Sequence, residues 1–375
     1  MTEGPLSSLR ILEVGHMLAG PYCGMLLADL GAEVIKIESP DGDLGRTISP
    51  HWIGPYNAYF ASLNRSKKSV VIDLACADGQ RTLATLCQNA DALITNLRPS
   101  AIRKLGLTYA ALKKHNSKLV CVALTGYGLD GPNADRPAYD YVVQALAGIA
   151  DMTGNPGSPP TKTGYSAVDN STGIMAALGL LAQIVGGKGG QVDVSLYDTM
   201  ISQLNYLASG YLNAGERLAR QHNGAHPYIV PAQMFPTRDG WLAMFISHDR
   251  FWKIFAAKVE IPEWLEDPHF STAKGRLANR ECVISAIEKL LMTQSTAHWV
   301  GRLEPLGLVI AGVQDMAAAL DSRLTAERGM VQTLETEAGD IRVVGNPIKG
   351  DGMAWQPTPP PRLGQHTDII FGDRG

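Results

Sequence analysis

Residues 10–37 read RILEVGHMLAGPYCGMLLADLGAEVIKI, and the period of the apolar residues changes twice along that stretch. Arg10–Val14 is a short β-branched run of the kind that forms a buried strand. Pro21–Leu30 carries apolar residues at helical spacing, with Pro21 suited to a first helical position. Gly31 then ends the helix and Glu33–Ile37 starts a second strand. Strand, helix and strand in about 30 residues make a βαβ unit, whose strands run parallel because a crossover separates them.

The alternation continues outward from that unit. Ser69–Asp73 reads as a strand, Gln80–Asn89 as a helix, Ala92–Thr95 as a strand, 101–115 as helical and Leu119–Leu124 as a strand. The expectation is an α/β fold: a Rossmann-like parallel sheet with both faces covered. Ligands of such sheets sit at the carboxyl ends of strands, here the loops after Val14, Ile37, Asp73 and Thr95. A helix over Thr172–Ile184, a Gly-rich turn at 186–190, a strand over Gln191–Leu196 and a helix over 198–213 follow. From about 220 the texture shifts, first to His, Pro and Gly at 221–240, then to a strand at Trp241–Ile246. Helical patterns over 249–258, 283–293 and 296–304 complete a smaller α+β domain. The expected division is a large domain over 1–200, a linker over 201–225, the small domain over 226–330 and a segment 331–375 returning to the large domain.

Composition narrows the function classes. The 375 residues are 45% hydrophobic and 18% charged, an ordinary globular balance. A net charge of −3 supplies no basic field for nucleic acid. Five scattered cysteines without a C-x-x-C pair point to reduced thiols in a cytoplasmic protein, with no disulfide framework and no zinc site. The N-terminus lacks a secretory pattern and no apolar run reaches about 18 residues, so no membrane partner is expected. The turn after the first strand, GHMLAGP at 15–21, is not G-x-G-x-x-G, which argues against a nicotinamide cofactor. P-loop, H-E-x-x-H and G-x-S-x-G patterns are absent, and the nine histidines are dispersed, so no metal is expected.

Asp169 stands out within GYSAVDNSTG at 164–173, just ahead of an apolar helix. An acid there caps the helix by accepting backbone N–H bonds, or is a carboxylate held ionised by the helix dipole beside small residues. The two readings are compatible.

Several stretches in this order resemble the class III CoA-transferase family, which includes formyl-CoA:oxalate and carnitine CoA-transferases. They are Leu12–Pro21 with Leu30–Glu38, Asn64–Ser69, Asp73-Leu74, Asn96–Pro99, Gly126–Gly128 with Gly131-Pro132, Tyr139-Asp140, the Asp169 segment, Gly189–Asp198 and Leu363–Asp368. The resemblance is dense over 10–200 and sparse beyond. It implies coenzyme A as a substrate, with Asp169 as the nucleophile that forms an anhydride and then an aspartyl-CoA thioester. It further implies a small carboxylic or dicarboxylic acid as the other substrate, succinyl-CoA as donor, and an interlocked homodimer.

The resemblance also distributes the contacts. Leu18 and Ala19 flank the pantetheine, while Ile72, Asp73, Leu74, Asn96, Leu97 and Arg98 line the nucleotide. Ser39 occupies the place of a CoA-contacting arginine, and Leu18 that of a glutamine. Lys104 meets a phosphate, and for Lys104 and Lys67 alike the alternative to a phosphate contact is a plain solvated lysine. Tyr139 and Asp140 lie near the thioester, or Asp140 caps its own helix. Tyr59, Asn223, Gly224 and His226 contact the acid, with His222, Gln233 and His248 as further candidates; His222 and His226 are alternatively turn residues beside Pro227. An α-methylacyl-CoA racemase of the same fold is the competing activity, and a silent CoA-binding paralogue the third. The racemase histidine falls on Tyr139, whose ordinary pKa of about 10 makes it a poor base at neutral pH.

Overall fold

The computed structural model describes residues 4–351, 353 and 356–372. Six strands build its principal sheet: β1 (Arg10–Val14), β2 (Glu33–Glu38), β3 (Lys67–Val71), β4 (Ala92–Thr95), β5 (Val120–Thr125) and β6 (Gly190–Ser195). Their order is β3-β2-β1-β4-β5-β6 and every neighbouring pair is parallel. This is the doubly wound order expected of a Rossmann-like sheet.

Strands buried on both faces explain why the central strands are largely apolar, Glu13 and Lys36 apart. Leu12, Ile35, Leu93, Cys121 and Ala123 enter a core on one face with Leu83 and Cys87. Ile11, Val34, Ala92, Ile94, Val120 and Val122 enter a core on the other. That second core is closed by α1 (Ala19–Asp29), by α3 (Ala167–Val185) and by the end of β5. Two further helices matter for the site, α2 (Asp140–Leu146) and α4 (Leu196–Gln203).

By length and composition α3 is apolar enough to cross a membrane, which corrects the expectation that no such run exists. Its buried face, from Val168 through Thr172 and Ala176 to Leu180, packs on the sheet as a core helix does. The tail covers the β3 edge. His366 N–H donates to Ser69 O at 2.9 Å, and Val71 N–H donates to Thr367 Oγ1 at 3.2 Å. A covered edge strand cannot template pairing with another chain.

A wholly buried ion cluster lies under the loop after β1. Lys36 Nζ meets Glu13 Oε1 and Asp43 Oδ2, each at 2.8 Å, and donates to Gly15 O at 3.0 Å. Lys67 Nζ meets Glu13 Oε2 at 2.7 Å. Lys67 is therefore neither solvated nor a phosphate contact. Burial alone would lower the Lys36 pKa, but Glu13 and Asp43 outweigh it and hold the ammonium charged.

Two compact units emerge, 1–147 with 164–205 and 322–375, and 148–163 with 206–321. The division differs from the expected cuts. Residues 205–214 form a helix and not a linker, and 148–163 joins the second unit through side chains distant in sequence. Asn155 Oδ1 accepts from Asn223 N–H at 2.7 Å, and Arg220 reaches Asp151 at 3.3 Å. The expected 198–213 helix breaks after α4, where Asn205 has φ 27°. In the second unit, β7 (Ala232–Pro236), β8 (Trp241–Phe245) and β9 (Val309–Gly312) form an antiparallel sheet. Helices close over it around Trp252, Phe255, Trp264 and Phe270.

Candidate active site

Strand order reverses at β1 and β4, and ligands of α/β sheets bind in the crevice at such a switch. Here the two loops are tied together. Asn96 Oδ1 accepts from His16 N–H at 3.0 Å, and Asn96 Nδ2 donates to His16 O at 2.8 Å. Met17 follows with φ 65°, its N–H held by Asp43 Oδ1 at 3.0 Å. The buried ion cluster thus fixes the left-handed residue that presents Leu18 and Ala19.

Two clefts open around this brace. One, of about 370 Å³, is lined by Leu18, Ala19, Tyr59, Asn96, Leu97, Arg98, Tyr139 and Asp169. The other, of about 260 Å³, is lined by Ser39, Ile72, Asp73 and Leu74, and the two share His16 and Leu97. Residues scattered over 18–169 in sequence therefore converge at the carboxyl ends of β1, β2, β3 and β4. Lys104 does not join them: it is exposed at the end of the Pro99–Lys104 helix and lines neither cleft.

Asp169 lies in the first turn of α3, two residues beyond its start, and does not cap it. The capping bond comes from α2, where Asp140 Oδ2 accepts from Val168 N–H at 2.8 Å. Asp140 Oδ1 accepts from Gln144 Nε2 at 2.6 Å, and the residue is 3% exposed. Asp140 thus lines neither of the two clefts and does not cap its own helix. Because Asp140 satisfies the orphan N–H, the Asp169 carboxylate is left to face the cleft. A close approach sets its height: a Cβ on Gly173, one turn later, would lie 2.9 Å from Ala19 O.

Electrostatics reverse the dipole expectation. Burial, and then the negative charge of Asp140, push the Asp169 pKa up to about 7. Burial also pushes the Tyr59 hydroxyl up to about 12, with Asp169 and then Asp43 adding to it. Two carboxylates and a phenol thus share one region, and Asp169 is poised to ionise near neutrality.

His16 and Arg136 also line the larger cleft and were not singled out from sequence. The signal for His16 lay in the turn after β1, where a doubly wound sheet places its ligand. Arg136 had only its proximity to Tyr139. In the second unit, Gly224 and His226 line a separate cavity of about 460 Å³ with Gln233. Asn223, at φ 52°, instead directs its side chain toward Glu288 at 3.4 Å. His222 and His248 do not line that cavity. Among the described residues, no group of three or more His, Cys, Asp or Glu side chains is placed to hold a metal ion.

Comparison with known proteins matches the CoA-transferase family III over residues 6–367. An acetyl-CoA:oxalate CoA-transferase of Acetobacter aceti is 33% identical, covering 93% of this chain and 90% of that protein. The human succinyl-CoA:glutarate CoA-transferase is 30% identical, covering 98% of this chain and 85% of that protein. A CAIB/BAIF family protein from Brucella suis superposes with a TM-score of 0.87 at 30% identity over 99% of both chains. The chain belongs to the CoA-transferase family III, and it is a CoA-transferase.

Proposed function

We propose that this transferase moves CoA from succinyl-CoA or a similar acyl-CoA to a small dicarboxylic acid, with Asp169 as the covalent carrier. The observation that carries the reading is a half-buried carboxylate that faces the cleft with no hydrogen-bond partner among the described residues and a pKa near 7. Above that pH it is ionised, and its raised basicity favours nucleophilic attack. Relatives named for succinyl-CoA with glutarate or mesaconate support the choice of substrates.

The Asp169 carboxylate attacks the thioester carbonyl, the C–S bond breaks, and CoA leaves as thiolate. That thiolate attacks the aspartyl carbonyl of the anhydride, releasing the donor acid and leaving an aspartyl-CoA thioester. The acceptor carboxylate then attacks this thioester and expels the thiolate, which takes the new acyl group from the anhydride and frees Asp169. Leu18 and Ala19 are proposed beside the pantetheine, and Ser39, Ile72, Asp73, Leu74, Asn96, Leu97 and Arg98 around the nucleotide, in keeping with their place in the two connected clefts. Tyr59 and Tyr139, which line the cleft that holds Asp169, are proposed as contacts to the reacting acid. The free state of all five cysteines is in keeping with action in the cytoplasm.

A homodimer with interlocked chains is proposed as the working form. Its support is the apolar surface on α2 and α3, where Tyr141, Leu146, Ile174 and Leu178 are 62%, 43%, 49% and 58% exposed. Sedimentation of the wild type and of Leu178→Glu tests this, a monomeric wild type being the adverse result.

Trapping tests the covalent step. After incubation with succinyl-CoA and hydroxylamine, peptide mass spectrometry should find a hydroxamate on Asp169, and Asp169→Ala should bind CoA without transferring it. An Asp169→Ala variant that still transfers would falsify the assignment. Deuterium entering the α-carbon of a branched acyl-CoA without an adduct would instead indicate racemisation.

A further inference from the structure

Glu38 ends β2 and is 3% exposed, and four donors meet its carboxylate. Oε2 accepts from Asp43 N–H at 3.0 Å and from Arg46 Nε at 2.7 Å. Oε1 accepts from Arg46 Nη2 at 2.7 Å and from Ser69 Oγ at 2.6 Å. An ionised carboxylate offers about four lone-pair sites, so none is left for a ligand, although Glu38 borders the smaller cleft. Whatever Glu38 contributes to that cleft passes through its partners.

Two of those partners, Asp43 and Arg46, belong to the segment 39–46, which lines both clefts. Ser39, Gly42 and Asp43 border the smaller cleft and Leu44 the larger. Asp43 Oδ1 accepts from Gly45 N–H at 2.7 Å and from Met17 N–H at 3.0 Å, and Met17 leads into Leu18 and Ala19. The returning tail bears on the same carboxylate. Ser69 Oγ accepts from Gly364 N–H at 2.9 Å while donating to Glu38, and Arg46 Nη1 donates to Pro361 O at 3.2 Å. The Arg46 guanidinium is further seated over the buried Phe60 ring at 3.7 Å. Gly42, at φ 75°, lets the tail come close, since a Cβ there would lie 3.3 Å from Leu363 Cδ1.

We propose that Glu38 is a positioning residue for CoA binding: held by the tail through Ser69 and Arg46, it sets segment 39–46 as a wall of both clefts without touching the ligand. A bidentate pair between guanidinium and carboxylate fixes orientation as well as distance, which a single bond does not. The inference rests on the placement of CoA in the two clefts and extends that reading to the residue that shapes them. A buried ion pair that served the fold alone would change the fraction of active protein and leave the affinity of that fraction unaltered.

CoA binding to the full-length protein is measured by titration calorimetry, and kcat and KM with succinyl-CoA and glutarate. Glu38→Gln keeps the shape but turns an amide toward one arm of the Arg46 fork. It should weaken CoA binding and raise the KM for succinyl-CoA by about 10-fold, the loss of one charge-assisted bond, with kcat changed by less than about threefold. Ser69→Ala, which removes only a hydroxyl, should weaken CoA binding by about threefold. Added to Glu38→Gln it should cost less than it does alone, because both changes act on one carboxylate. If Glu38→Gln does not fold, Ser69→Ala decides the matter alone. A lowered kcat at unchanged KM, or strictly additive losses in binding, would overturn the proposal. Binding of CoA needs no turnover, so a failure of Asp169 as nucleophile would leave this result standing. Ser39→Trp, which fills the smaller cleft, tests the placement of CoA. Binding that survives it would remove CoA from that cleft and the proposal with it, whereas binding lost there but unchanged in Glu38→Gln and Ser69→Ala would remove only the role of Glu38.

Discussion

Asp140 Oδ2 lies 2.8 Å from the backbone nitrogen of Val168, one residue before Asp169. One buried carboxylate thereby holds the first turn of α3 and sets the electrostatics of the next acid. Asp140→Asn keeps an acceptor for Val168 but removes the charge that helps to raise the Asp169 pKa. The acidic limb of kcat/KM, expected near pH 7 in the wild type, should therefore shift to lower pH. Asp140→Ala should instead lose about 1–3 kcal/mol in urea denaturation, because two buried donors lose their acceptor. An unmoved limb in Asp140→Asn would leave burial as the sole cause of the Asp169 shift.

Asp169 carries a stability cost whose sign follows from linkage. Its folded pKa, about 7, is above the ordinary 3.8, so the folded state binds the proton more tightly. Stability contributed by this group is full below about pH 4 and is lost as the pH rises through 7. Taken whole, the displacement amounts to about 4 kcal/mol, and solvent screening of a partly exposed group reduces the expectation to about 1–2 kcal/mol. Asp169→Asn should thus be more stable than wild type by about that amount at about pH 8, with the difference closing toward about pH 4. Thermal unfolding across that range measures it, and a stability gain constant with pH would contradict the raised pKa.

Lys36 has three partners and no exposed surface, so it can be removed only at the expense of two acids. Lys36→Met leaves Glu13 partly compensated by Lys67 and Asp43 without its 2.8 Å cation. The expected loss is about 3–5 kcal/mol in denaturant unfolding. Replacing Lys104, exposed and outside both clefts, should change neither stability nor the KM for CoA by more than the error of measurement.

Local physics was readable where neighbours in sequence decide it. Arg10–Val14, Ala92–Thr95 and the Asp249–Lys258 helix are legible to the residue, because β-branched or 3.6-period patterns meet no competing constraint there. The start of α3 is not, since Ser166 at its N-cap position makes no side-chain capping bond and the cap is supplied by Asp140 from another helix. The same long-range bond hid the difference between Asp140 and Asp169, two acids that look equivalent along the chain. Lys67 and Lys104 show the limit in another way. Both lysines read as surface charges, yet Lys67 lies inside an ion cluster with Glu13, a buried residue of β1. The converging residues at the strand ends were legible as a group because topology places them there, whereas Arg136 depends on a strap whose course no periodicity encodes.

Gly173 decides the distance between the two elements that meet at the nucleophile. An added Cβ would stand 2.9 Å from Ala19 O and 3.0 Å from the Tyr22 ring. The ring can yield by rotating, but Ala19 O belongs to the first turn of α1 and moves only with the backbone that carries Leu18 and Ala19. Gly173→Ala should therefore ease α3 away from α1 by a few tenths of an ångström, taking Asp169 with it. Helix propensity favours alanine by about 1 kcal/mol, which offsets much of the steric cost, so the net change in stability should be small. Catalysis has no such compensation, since attack on a carbonyl depends steeply on position. The expectation is a kcat lowered by about 10–100-fold with the KM for the acyl-CoA nearly unchanged. Matched losses in both, or a large fall in unfolding temperature, would mean that Gly173 supports the fold as a whole and not the placement of Asp169.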